Sequence, residues 1–258
     1  MKSEKITYYD IHTHQPAVRP EDVAIFSLDL RNNNLLASIF SSEENSLKNC
    51  ALGYSEIKNR SEYYSVGIHP WYPEKSLMKK VSEYAISPLV VAIGETGLDK
   101  ITANSTDNFK LQQELFIEHV ILSEKTGKPL IIHCVKAWNE LLRIHKSTNP
   151  TRPWIIHGFR GKAALAEQLM DAGMYLSFSS TYNTDSLKAA WKKHCLLTET
   201  DDTNTDICNV YSRIANNLEI SNKELSDEIG LFFNSFCTSL GLHYLCTAKK
   251  NNNYNEFC

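Results

Sequence analysis

The chain has 258 residues, 42% of them apolar and 22% charged, with a net charge of −3 when histidines are neutral. That size and balance fit an ordinary globular unit, and the lack of a basic excess excludes a protein that coats nucleic acid by charge alone. The seven cysteines are odd in number and include no Cys-x-x-Cys pair, which excludes a disulfide framework or a zinc ribbon and points to a reducing compartment. Ile6 to Ile11 is too short for a secretory core and no apolar run approaches a membrane span. A cytoplasmic protein with no membrane contact and no obligate protein partner is expected.

Lys5 to His12 reads as a first strand, with Ile6, Tyr8 and Ile11 supplying β-branched and aromatic bulk. Leu35 to Phe40 reads as a second, and Ser42 offers an N-cap for a helix towards Lys58. Tyr64 to Ile68 is a third strand, ending at His69-Pro70-Trp71. A helix from about Pro73 to Ala85 leads to Leu89–Ile93, an unbroken apolar run suited to a strand buried on both faces. Thr106 or Asp107 caps the longest helix, which Gly127 and Pro129 stop. Leu130–Ile132, Trp154–Ile156, Met174–Phe178 and Leu196-Leu197 complete the strands, with helices at Trp138–His145, after Gly161 and at Leu187–Lys193 between them. From Ile207 the chain reads as helical, Ser221 opens a last helix, and the tail from about residue 249 frays. Eight strands alternating with helices predict an α/β fold, a (β/α)8 TIM barrel forming one domain over residues 1–258. A doubly wound open sheet is the alternative.

Five of the nine histidines fall within two residues of a predicted strand end. His12 and His14 close strand one, and residues i and i+2 of an extended chain point the same way. His69, His133 and His157 follow strands three, five and six, Glu95 follows strand four, and Asp201 follows strand eight. In a barrel these termini share one rim, where barrel enzymes carry their chemistry. Any one of these histidines alone reads as a loop or core residue; the set reads as a metal site. Four imidazoles with two carboxylates exceed the needs of one tetrahedral ion and suit two divalent ions sharing a bridge, with Zn²⁺, Mn²⁺ or Mg²⁺ as candidates. Such a pair activates water for hydrolysis. Glu95 is placed to bridge, and Asp201 to orient the water or take its proton.

Asp10-x-His12-x-His14, Gly67-Ile68-His69-Pro70, Gly94-Glu95-x-Gly97-Leu98-Asp99, Pro129-Leu130-Ile131-Ile132-His133, Ile156-His157-Gly158-Phe159 and Glu199-Thr200-Asp201 occur in this order. Together, over residues 6 to 235, they resemble the TatD family of metal-dependent deoxyribonucleases, within the amidohydrolase superfamily. The resemblance implies a barrel with two divalent metal ions that hydrolyses phosphodiester bonds, as a 3′→5′ exonuclease on single-stranded DNA or frayed 3′ ends. It implies that His12, His14 and Asp201 hold one metal, that His133 and His157 hold the other, and that Glu95 bridges them. His69 would contact the substrate phosphate or the bound water. The sequence departs from the family pattern at Gln15-Pro16, at Gly158 and Arg160, and at Asp202-Thr203-Asn204. These departures leave the proposed ligands in place and alter the loops that choose the substrate.

Lys136 and Arg160 are candidate substrate-binding residues, set against the alternative of solvated surface cations. Trp71 and Tyr72 can stack on a base or pack the rim. Asp99 can orient a ligand or cap a turn, and Cys134 reads as a small buried hydrophobe. Two other functions share the same residues: hydrolysis of an amide, ester or lactone, and metal binding without turnover.

Overall fold

The computed structural model describes residues 5–40 and 62–239. Its strands are β1 (Tyr9–Thr13), β2 (Val23–Leu28), β3 (Glu62–Val66), β4 (Val90–Asp99), β5 (Leu130–Val135), β6 (Trp154–Ile156), β7 (Met174–Phe178) and β8 (Leu196–Thr198). The helices are α1 (Asn33–Phe40), α2 (Met78–Tyr84, preceded by a 3-10 turn at Lys75–Leu77), α3 (Thr106–Thr126), α4 (Trp138–Thr148), α5 (Ala163–Asp171), α6 (Thr184–Lys192), α7 (Ile207–Leu218) and α8 (Asn222–Ser239). All strands pair in parallel and in sequence order, β1 through β8.

Closure happens at one place. Thr13 and Asp201 form an isolated parallel bridge, in which His14 N–H donates to Asp201 O at 3.1 Å and Asp201 N–H to His12 O at 3.0 Å. The eight strands therefore meet end to end as a (β/α)8 barrel, sealed at the rim that carries His12, His14 and Asp201. Below this rim Thr198 donates its hydroxyl to Tyr9 O, and the Tyr211 hydroxyl of α7 accepts from Tyr9 N–H.

Local chemistry explains most boundaries. The runs Val90–Ile93 and Trp154–Ile156 are wholly buried, as strands covered on both faces require. Ser105 caps α3 by accepting from Asn108 N–H, one residue before the expected Thr106, and Gly127 ends it in the left-handed conformation at φ 74°. One element differs in type: the expected second strand, Leu35 to Phe40, is helical. Asn32 accepts from Leu35 N–H as a cap, and Leu36 and Phe40, four residues apart, are buried. The true second strand is the β-branched and aromatic run Val23–Leu28. The helix expected from Ser42 towards Lys58 and the tail from 249 lie outside the described residues. Among the described residues no helix is long and apolar enough to cross a membrane.

Gly97 is required by the pairing of β4 with β5. Its φ is 145°, and a Cβ there would lie 2.0 Å from His133 O. Gly94, at φ 141°, would place a Cβ 2.4 Å from Ile131 O. The two strands thus approach closely on either side of Glu95. Gly97→Ala is expected to lower stability by about 3 kcal/mol, through strain and a backbone clash together. Urea unfolding with an unchanged m-value checks it.

Candidate metal centre

Every residue expected to bind metal arrives at one cluster. Glu95 stands inside β4 rather than in the loop after it, and its two oxygens face different sets. Oε2 lies 3.3 Å from His12 Nε2 and 3.8 Å from His14 Nε2. Asp201 Oδ1 completes that side, at 3.5 Å from His12 Nε2 and 3.8 Å from His14 Nε2. Glu95 Oε1 lies 2.8 Å from His157 Nε2, 3.0 Å from His133 Nδ1 and 2.9 Å from His69 Nε2. His69 therefore meets the glutamate as closely as the expected ligands do, and it forms with Glu95 and His133 one of the groups able to hold an ion.

Two of the imidazoles, His133 and His157, have a carboxylate behind them. Asp99 Oδ2 lies 3.2 Å from His133 Nε2 and accepts from Trp71 Nε1–H at 2.8 Å, which turns His133 Nδ1 towards Glu95. Asp99 Oδ1 also accepts from Ile101 and Thr102 N–H, so the residue both orients a ligand and caps a turn. Gln112 of α3 accepts from Asp99 N–H and donates to Pro70 O, joining the loops after β3 and β4. Glu199, wholly buried, accepts from Gly158 N–H at 2.7 Å and lies 3.6 Å from His157 Nδ1. Asp10 accepts from both the N–H and the hydroxyl of Thr200, which fixes the turn that presents Asp201 at φ 56°.

His119 was legible in the sequence only as a mid-helix residue. It is fully buried; its Nε2 accepts from Ile68 N–H at 3.0 Å while Nδ1 donates to Leu115 O at 2.7 Å. That fixes a neutral tautomer directly beneath His69. Burial pushes its pKa down to about 4, only partly countered by the Leu115 carbonyl. The native state then stays neutral where the unfolded chain takes up a proton, so stability falls as the pH drops from about 6.5 to about 4. The expected loss is on the order of 3 kcal/mol across that window. His119→Gln should flatten this dependence in denaturation midpoints measured from pH 7 to pH 4.

The donor set fits divalent cations. His12 is fully buried, and neither ring nitrogen has a hydrogen-bond partner among the described residues, although Nε2 faces two carboxylates. Burial works against charge on Glu95, yet His157 and His12 hold its carboxyl well below the usual carboxylate range. Burial and His157 disfavour a charged His12, but Glu95 and Asp201 push its pKa up to about 9. His157 is likewise raised, against its burial, by Glu95 and Glu199. Asp201 is held down to about 2, against burial, by His12 and His157. The buried carboxylates demand positive charge, and nitrogen and oxygen donors of this kind match borderline divalent metals.

The cluster opens into a cavity of about 370 Å³, lined by Leu28, Leu30 and Leu77 on one side and by His69, Trp71 and Tyr72 on another. Trp71 and Tyr72 are each about half exposed, and Trp71 is anchored to the rim through Asp99. Lys136 and Arg160 are exposed and do not line this cavity. The basic side chain that does line it is Arg31, in the turn after β2. Its reach could not be read from the sequence, because the second strand was expected twelve residues too late. Cys134 is buried and unpaired, as expected.

The sequence of residues 9–224 matches the family model described as TatD related DNase. The chain belongs to the TatD family. Among curated relatives of this TatD protein, an "uncharacterized metal-dependent hydrolase" of Buchnera aphidicola is 43% identical over 124 residues, covering 47% of this chain and 46% of the relative. The chain spans about half the length of the curated relatives it matches. Solved structures share the fold at low identity. The TatD homolog YjjV of Escherichia coli is 17% identical, covers 90% of this chain and 97% of its own, and has a TM-score of 0.69. A TatD family hydrolase of Entamoeba histolytica is 17% identical, covers 95% and 100%, and has a TM-score of 0.67.

Proposed function

We propose that this TatD protein is a metal-dependent hydrolase that cleaves phosphodiester bonds, with single-stranded DNA or frayed 3′ ends as substrate and 3′→5′ exonuclease action. The observation that carries the hydrolase reading is the division of Glu95: Oε2 faces His12 and His14, and Oε1 faces His69, His133 and His157. A carboxylate shared in this way is what two ions with a common bridge require. His12, His14 and Asp201 would hold one ion, His133 and His157 the other, and Glu95 both. Zn²⁺, Mn²⁺ and Mg²⁺ are the candidates, the imidazoles favouring the first two. Bound there, such ions would lower the pKa of water and offset charge on a phosphate.

The protein's own residues have distinct roles. Asp201, with a pKa near 2, is a weak base; it orients water rather than storing its proton. His69 is only partly buried, lines the cavity, and stands beside Glu95, where it can donate to a phosphate oxygen. Trp71 and Tyr72 offer exposed rings on which a base can stack. The family match supports DNA as substrate, and the cavity's size suits a small ligand or a chain end more than a duplex. The unpaired Cys134, Cys195 and Cys208 support a reducing, cytoplasmic setting.

The deciding experiment is digestion of a labelled single-stranded oligonucleotide by protein loaded with Mg²⁺, Mn²⁺ or Zn²⁺, with His133→Ala prepared identically. Stepwise shortening from the 3′ end by the wild type alone is expected. An intact oligonucleotide, in protein shown to carry metal, would refute the nuclease reading.

A further inference from the structure

We propose that Arg31 is a specificity-determining residue that binds a second anionic group of the substrate, carried beside the bond that is cleaved. The substrate class rests on the phosphodiesterase reading above.

Among the described residues lining the cavity, Arg31 is the one permanent cation. The rest of the lining carries carboxylates, from Asp29, Glu95, Asp201 and Asp202. Metals at the histidine cluster would meet the reacting phosphate. Any further anion of the substrate would face those carboxylates without compensation, unless Arg31 receives it. The guanidinium is held in place to do so, with Nε and Nη2 donating to Asp29 Oδ1 and Oδ2, each at 2.9 Å. Its Cζ lies 3.9 Å over the centre of the Tyr72 ring. These contacts fix the plane of the fork and occupy one of its edges, so Nη1, which Asp29 does not use, keeps a defined direction.

A purely structural purpose accounts poorly for this arrangement. The Arg31 side chain is 48% exposed and that of Asp29 49%, and surface pairs of this kind add little to stability. Tyr72 is half exposed as well, so its stack with Arg31 covers little core. What these contacts do achieve is to join the turn after β2 to the loop after β3 at the cavity that His69 also lines. A cation stacked on a ring there is a preformed receptor for a phosphate or carboxylate next to a planar group.

The test compares ligands with one and two anionic groups. Metal-loaded protein is titrated calorimetrically with thymidine 5′-phosphate and with thymidine 3′,5′-bisphosphate. Hydrolysis of the dinucleotide TpT is followed beside that of its 5′-phosphorylated form pTpT, whose added phosphate is the next one along the strand from the bond cleaved. Wild type should prefer the doubly anionic ligand by about tenfold in both readouts, the ratio should fall to about 1 in Arg31→Gln, and Arg31→Lys should keep part of it. Equal preference in wild type and Arg31→Gln overturns the proposal. So does a lowered melting temperature in Arg31→Gln with an unchanged binding ratio, because that marks a packing role. If neither ester is hydrolysed while the binding preference still depends on Arg31, the anion subsite stands and the phosphodiesterase reading fails.

Discussion

Glu95→Gln is expected to remove both the metal and the turnover of this TatD protein. Glutamine keeps the shape of the side chain and replaces one oxygen with an NH2 donor. Whichever oxygen is lost, one side of the cluster loses its acceptor: His12 and His14 on one side, or His69, His133 and His157 on the other. The charge lost is the one that burial most opposes and that His157 and His12 sustain. Metal affinity should fall more than about a hundredfold, beyond what substituting an outer orienting residue costs. Hydrolysis should fall at least about a thousandfold, or about 4 kcal/mol of barrier. Metal content after gel filtration is the primary measurement. A variant that keeps the wild-type metal stoichiometry would sink the bridging role, whatever its activity.

Asp201→Asn separates chemistry from architecture. The backbone of Asp201 closes the barrel, bonding to both His12 and His14, and its φ of 56° is one that asparagine tolerates well. Its side chain, by contrast, faces the cluster, 3.5 Å from His12 Nε2 and 3.8 Å from His14 Nε2. The variant should therefore melt near wild type while hydrolysis drops about 10²- to 10⁴-fold. Because the carboxyl titrates near 2, the acid limb of the wild-type rate profile should not belong to it. Kinetics from pH 5 to pH 9, paired with thermal melts, check both statements. A large loss of stability would show that the carboxylate itself, and not the backbone bridge, seals the barrel.

The elements read most accurately from the sequence were those whose signal is local and strong. The boundaries of β6 and β7 match the expected runs at Trp154–Ile156 and Met174–Phe178 because both are apolar segments bounded by Pro153 and Gly173. The misreading lay in the first third of the chain. Leu35 to Phe40 is apolar enough for a buried strand, and only the Asn32 cap and the four-residue spacing of Leu36 and Phe40 mark it as helix. That error displaced β2, and with it the turn that carries Asp29 and Arg31 into the cavity.

The sequence by itself determined the fold class, the family and the residues that gather in the cluster, because a residue at the end of a barrel strand is carried to the rim whatever its neighbours do. His12, His14, His133, His157 and Asp201 were identifiable on that ground as members of one cluster, and Glu95 because the buried run Val90–Ile93 leads into it. Only the tertiary structure decided which atoms meet. The register that sets Gly97 opposite His133 gives Glu95 one oxygen for each side of the cluster, and it brings His69 in as a further neighbour. His119 and Gln112, polar residues on the buried face of α3, became supports of the loops after β3 and β4 through bonds spanning tens of residues. Strand ends are encoded locally by residue type and spacing. Partnerships between side chains depend on strand register and helix docking, which are set by the packing of the whole barrel.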